Sequence, residues 1–194
     1  MSMPEPDPAL LRRFLGDRAR LRLFALTVII TAVVVVIDQV SKAVALDTLS
    51  ESTRRPLLGD LLGLQLAFNP GTIMSFGSGS TWIFTALATV AMPVAFIAAS
   101  KVRTARWAFA IGLLWGGAMG NLIDRLFAPP GFGVGHVIDF LAYGNLFIGN
   151  LADVALGVGL GLVLLFMSRR SRGASENRGE HVQPELSEYR DDRE

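Results

Sequence analysis

In the stretch "VIDFLAYGNLFIGNLAD", Asp139 stands just before the last long apolar segment of the chain and Asp153 stands inside it. Between Leu61 and Met167 the only carboxylates are Asp124, Asp139 and Asp153. A charge at bilayer depth costs about 2.5–3.5 kcal/mol unless it is paired or wetted, so each of these acids is a candidate for chemistry. Apart from His136, neither Asp139 nor Asp153 has a basic residue within four positions, and Asn150, three residues before Asp153, offers an amide donor that fixes a carboxylate without neutralising it. Two unpaired acids brought together split their titrations, one staying ionised while the other keeps a proton. That is the condition an aspartyl hydrolase needs, with one carboxylate activating water and its protonated neighbour donating. The same acids also suit a proton or cation relay through a transporter, or plain buried polar contacts, and the residue types alone leave all three readings open.

The other polar groups read as support. Asp38 and Lys42 of "DQVSK" are i and i+4, on one helical face, and are expected to pair and to tie their helix to a bundle. Asn121, Asp124 and Arg125 of "GGAMGNLIDR" share a face, with Asp124 free to pair with Arg125 or with Lys42, which favours a structural or substrate-orienting role. Ser41 and Lys42 are adjacent, about 100° apart on a helix, and so poorly placed as a serine–lysine pair. The chain has no cysteine and two histidines, His136 and His181, the second in a polar tail. No metal site is therefore expected.

These residues are carried by a membrane chain. Of 194 residues, 51% are hydrophobic, and the mean hydropathy is +0.44. Four segments, about Leu23–Leu46, Thr81–Ser100, Trp107–Phe127 and Leu146–Met167, are long enough to cross about 30 Å of hydrocarbon. The first is too long, and lacks the small-residue site, for a cleavable signal peptide. The net charge of +1 hides a segregated pattern. Arg12, Arg13, Arg18, Arg20 and Arg22 precede the first span, Lys101, Arg103 and Arg106 separate the second and third, and Arg169, Arg170 and Arg172 follow the fourth. The other two loops carry only Arg54 and Arg55, so both termini and the 101–106 loop are expected in the cytoplasm. The acids then gather toward the outer face, whereas a transporter relay predicts acids near the midplane and often an internal repeat, which is not seen.

Residues 1–20 read as a polar basic leader, 21–168 as the membrane domain, and 169–194 as a disordered tail. In "LLGLQLAFN", Leu62, Leu64, Leu66 and Phe68 alternate with Gly63, Gln65 and Ala67, which predicts a short strand or two on the membrane surface, with turns at "NPGT" and "FGSGS". Gly112, Gly116 and Gly120 in the third span, and Gly157 and Gly161 in the fourth, are spaced for close helix approach.

Taken in order, "DQVSK", "FNPGTIMSF", "GGAMGNLIDR", "VIDF" and "GNLAD" closely resemble the lipoprotein signal peptidases, or signal peptidase II, over roughly residues 21–168. The resemblance implies a bacterial inner-membrane aspartyl peptidase, multi-pass, with its site toward the outer face. Its substrates are prolipoproteins cut just before a diacylglyceryl-modified cysteine. It implies an all-α membrane protein, four transmembrane helices with a small outward-facing strand cradle. It further implies that Asp139 and Asp153 are the catalytic pair, that Asn69, Gly71, Asn121, Asp124, Arg125 and Asn150 form the polar shell for substrate and dyad, and that Asp38 and Lys42 support them. No cofactor and no nucleic acid are expected, only prolipoprotein substrates and membrane lipids, and the chain is expected to act as a monomer. It departs from the family at the bulkier Thr72, Ile73 and Met74, and at Gly149 where the family often has Phe. The link from Asp124 to Asp139 is longer than usual, and the loop "FLAYGNLFIG" that must bring Asp153 back to Asp139 is shorter.

Overall fold

A computed structural model describes residues 8–71 and 81–180, with side chains for 16–71 and 81–169. Four helices follow the apolar segments: α1 (Pro8–Thr48), α2 (Thr81–Ser100), α3 (Ala105–Phe127) and α4 (Leu151–Glu180). Among the described residues, Gly16–Thr48, Thr81–Ser100 and Leu151–Arg169 are long and apolar enough to cross a membrane. Helix α3 has the length but not that hydropathy. It carries Asn121, Asp124 and Arg125 together with a run of glycines, and it packs against each of the other three helices. Large apolar side chains such as Val33, Val36, Leu87, Val90, Leu160 and Leu164 point outward from α1, α2 and α4, as lipid-facing surfaces do.

The glycines of α3 explain its close seat on α1. A Cβ at Gly112 would lie 2.8 Å from the Ile30 side chain, and one at Gly116 would lie 2.7 Å from Val34. The expectation for α4 needs correction, because Gly157 and Gly161 face open space. Gly159 of α4 and Gly117 of α3 make that approach instead.

Four strands form one antiparallel sheet in the order β1-β2-β3-β4: β1 (Arg55–Leu58), β2 (Leu62–Asn69), β3 (Val137–Tyr143) and β4 (Phe147–Gly149). The alternation in "LLGLQLAFN" holds in part. Leu64 and Leu66 pack with Phe140, Ile138 and Ala45, whereas pairing shifts between Leu64 and Ala67 and Phe68 is exposed. The expected fourth span is corrected at its start. Phe147–Gly149 is strand β4, and the helix begins at Leu151. A short apolar run reads equally as strand or helix in hydropathy, which is why the two merged. The "FLAYGNLFIG" link is thus a hairpin of β3 and β4, with Gly144 at positive φ in its turn.

Helix α1 already includes most of the basic leader, and α4 runs to Glu180, past the point where composition predicts an irregular tail. Thr72, Ile73, Met74 and the "FGSGS" turn lie outside the described residues, as do His181 and the rest of 181–194.

Candidate active site

Helix α4 starts on a reciprocal cap. Asn150 precedes the first helical residue, and its Oδ1 accepts the Asp153 N–H at 2.9 Å. The Asp153 Oδ2 accepts the Asn150 N–H at 3.1 Å. This is a capping box, and it places the Asp153 carboxylate in the first turn, where the helix dipole favours negative charge.

Asp139 comes from the middle of the sheet, on β3 opposite Ala67 of β2. Its side chain is 2% exposed. Asn150 Nδ2 donates to Asp139 Oδ1 at 2.6 Å, and Asn69 Nδ2, at the end of β2, donates to Asp139 Oδ2 at 3.1 Å. Asn69 is itself held by the Gly71 N–H at 3.0 Å. Asn150 therefore touches both acids, one through its amide and one through its backbone. Burial, and then the charge of Asp153, push the Asp139 carboxyl up to about 7, against the opposing pull of the Asn69 and Asn150 amides and of Lys42. An acid with that titration keeps its proton near neutrality.

Behind the pair lies a charged clamp. Lys42 pairs with Asp38 and with Asp124, each at 2.7 Å, and donates to Asn121 Oδ1 at 3.0 Å. Each partner reaches on toward a dyad acid. Asp38 Oδ1 accepts the N–H of Ala152, the residue before Asp153, at 3.0 Å. Asp124 Oδ2 accepts the N–H of Ile138, the residue before Asp139, at 3.1 Å. Asn121 Nδ2 donates to Asp153 Oδ1 at 2.9 Å. The i, i+4 pair expected on α1 is present, and the choice open to Asp124 resolves to Lys42.

Arg125 turns the other way. Its Nη2 donates to Gly71 O, its guanidinium lies 5.5 Å from the Phe84 ring, and its buried Nη1 has no partner among the described residues. A buried guanidinium donor of this kind is suited to an incoming carbonyl. The serine–lysine alternative has no support in the geometry, since Ser41 Oγ donates to Asp38 O at 2.7 Å and Lys42 is held by two carboxylates.

Three contributors were not singled out from the residues. Gln39 Nε2 reaches Asp124 Oδ1 at 3.0 Å, Gly120 O at 3.2 Å and Asp38 Oδ2 at 3.3 Å, joining α1 to α3. Its signal was its place, a lone amide inside an apolar span beside Asp38. Tyr143 and Phe147 stack with centroids 4.8 Å apart beside Gly149, and the Tyr143 hydroxyl titration is raised by burial and by Asp153. No spacing rule marked that pair. Among the described residues no group of three or more His, Cys, Asp or Glu is placed to hold a metal ion.

The chain is similar over most of its length to proteins of one family. The family model described as signal peptidase (SPase) II matches residues 30–169. A lipoprotein signal peptidase of Leifsonia xyli subsp. xyli is 43% identical over 164 residues, covering 84% of this chain and 76% of its own length. One from Bifidobacterium longum is 38% identical over 151 residues, covering 77% of this chain and 81% of its own. A solved bacterial membrane enzyme structure, obtained by the in meso method, superposes with a TM-score of 0.65 at 26% identity, covering 75% of this chain and 88% of that one.

Proposed function

The chain belongs to the signal peptidase II family, peptidases that remove signal peptides from prolipoproteins, and we propose that it does so by aspartyl chemistry at Asp139 and Asp153. The ionised member of the pair takes a proton from a water beside the scissile carbonyl. The protonated member polarises that carbonyl and then protonates the leaving amine. Asn69 and Arg125 hold substrate carbonyls, and the cut falls before the diacylglyceryl-modified cysteine, whose lipid enters laterally from the outer leaflet. In this reading residues 21–168 form the working domain of a monomer, crossing the bacterial inner membrane four times with both termini in the cytoplasm and the site toward the outer face. The departures at Thr72–Met74 and Gly149 bear on which prolipoproteins are preferred.

The observation that carries the reading is the joint hold of Asn150 on both acids, since a shared donor keeps two carboxylates close enough to divide one proton. The test is incubation of the purified protein with a diacylglyceryl-modified lipobox peptide. Asp139→Asn and Asp153→Asn should each abolish cleavage while the protein still accumulates in the membrane. Processing at the wild-type rate by either variant overturns the assignment.

A further inference from the structure

A dyad needs its two acids in different protonation states, and the clamp behind this one is not symmetric. Lys42 spends its three ammonium hydrogens on Asp38, Asp124 and Asn121. Toward the dyad, the two carboxylates reach the backbone N–H groups beside the reacting acids and not the acids themselves. Asn121 reaches an acid directly, so that a hydrogen-bond chain of single direction runs from Lys42 Nζ to Asn121 Oδ1 and from Asn121 Nδ2 to Asp153 Oδ1.

The amide in that chain has one workable orientation. Asn121 Oδ1 accepts from both Lys42 Nζ and Asn150 Nδ2. A flipped amide would set its NH2 against two donors and its carbonyl against a carboxylate. Drawn on by an ammonium at its oxygen, the amide becomes a stronger donor at its nitrogen, which favours an anion there. Asp153 also accepts the Asn150 N–H in the first turn of α4.

Asp139 has no such feed. Its donors are the amides of Asn69 and Asn150, whose own oxygens accept, among the described residues, the backbone N–H groups of Gly71 and Asp153. It is also fully buried, while Asp153 is partly exposed, as a group that must meet water should be. Arg125 of α3 acts on Asp139 first, then on Asp124 and Asp153, and Lys42 also acts on Asp139 through space, while Tyr143 of β3 lies near Asp153 without a charge to lend. Lys42 and Asp38 are the charged groups that α1 brings, and the Lys42–Asn121 chain is the hydrogen-bonded link from a cation that reaches Asp153 and not Asp139.

We propose that Lys42 is a positioning residue which acts through the Asn121 amide to hold Asp153 as the anion of the pair, leaving the shared proton on Asp139. This rests on the dyad reading and assigns its roles. Asp153 takes a proton from water as the water oxygen bonds to the scissile carbonyl carbon, and Asp139 donates a hydrogen bond to the developing oxyanion. As the C–N bond breaks, the Asp139 proton passes to the amine nitrogen. The proton on Asp153 then returns to Asp139 and restores the starting state.

Two measurements test it. The first is the infrared carbonyl stretch of a protonated carboxyl in the detergent-solubilised protein, followed by titration between about pH 4 and 9. A band titrating near neutrality is expected in the wild type, kept in Asp153→Asn though titrating lower, and lost in Asp139→Asn. A band lost in Asp153→Asn and kept in Asp139→Asn overturns the proposal. The second is the pH profile of kcat/KM for Asp38→Asn and for Asp38→Asn with Lys42→Gln. The pair of changes removes both charges yet keeps an acceptor for Ala152 and a donor for Asn121. Loss of the cation should move the acidic limb up by about one pH unit relative to Asp38→Asn alone. Unmoved limbs with lower turnover mean that Lys42 is only structural, and overturn its role. If the double variant does not accumulate, the same pH profile of Asn121→Ala decides, an acidic limb that stays in place overturning the role of the Lys42–Asn121 chain. Full inactivity of both Asp→Asn variants in the cleavage assay preserves the dyad reading even where this assignment of roles fails.

Discussion

Asn150 and Asp153 cap one another at the start of α4, the Asp153 N–H on Asn150 Oδ1 at 2.9 Å and the Asn150 N–H on Asp153 Oδ2 at 3.1 Å. The start of a helix and the placement of a reacting acid are thus one arrangement. Because Asn150 also donates Nδ2 to Asp139 and to Asn121, its oxygen caps the helix while its nitrogen serves the site. Asn150→Ser should keep a capping oxygen, and with it most of the stability that a cap provides, on the order of 1 kcal/mol. It should lose the donor to Asp139 and to Asn121 and cut kcat/KM roughly three- to tenfold, the worth of a hydrogen bond between neutral groups. Thermal unfolding and peptide cleavage on one preparation check both halves. Unchanged cleavage would remove Asn150 from the site.

The clamp predicts a stability defect at a distance. Asp38 is fully buried, pairs with Lys42 and accepts the Ala152 N–H. Asp38→Ala strips one counter-charge from a buried ammonium and orphans a buried N–H. The cost should be about 3–5 kcal/mol, and membrane abundance should fall several-fold. Quantitative immunoblotting of membranes measures it. Asp38→Asn, which keeps an acceptor for Ala152, should fall less. Normal abundance of Asp38→Ala would show that the pair carries little of the fold.

How much of this was legible in the residues depended on whether a local rule set the contact. Asp38 and Lys42 meet because i, i+4 geometry makes them meet, whatever surrounds them. The three α3 glycines and the two α4 glycines have the same spacing, but only the first set has a helix against it. Spacing shows that a face is small and is silent on what covers it. Asp139 and Asp153 could be named as unpaired acids, but not that one lies on a sheet strand, because that sheet joins strands far apart in the chain, β2 with β3. Gln39 was hidden for a similar reason. Its partners Gly120 and Asp124 sit on another helix, and nothing in its neighbourhood in sequence points to them.

The Asp139 titration sets a sign for both rate and stability. Its folded value, pushed up to about 7 by burial first and then by Asp153, lies above the ordinary value of 3.8. The folded state therefore binds a proton that the unfolded chain has released across that window. Stability from this group is fully present below about 4 and is lost as pH rises through about 7. Turnover should fall on the same side, since the proton on Asp139 is needed for donation. Melting temperature and kcat measured from about pH 4 to 9 should both decline across neutrality. In Asp139→Asn this contribution to the slope in melting temperature should vanish. A melting curve whose pH dependence is the same with and without Asp139 would contradict the assignment.

Gly149 offers a test that separates site from scaffold. A Cβ there would lie 2.8 Å from Asp153 Oδ2 and 3.4 Å from the Phe147 ring. The carboxylate is the end of a side chain and can yield, but yielding moves it off the Asn150 N–H and the Asn121 amide that aim it. Gly149→Ala should fold with little loss of stability and lose about tenfold or more in kcat, as small misplacements of a reacting group do. Gly116→Ala presses instead on Val34 Cβ at 2.7 Å and on the Thr31 carbonyl at 3.0 Å, deep in the α1–α3 seam. It should lower the melting temperature, overpacking costing about 1–3 kcal/mol, while the surviving folded enzyme cleaves at nearly its normal rate. Cleavage assays normalised to folded protein distinguish the two. Equal loss of kcat in both variants would mean that the glycine beside Asp153 has no special relation to the reacting acid.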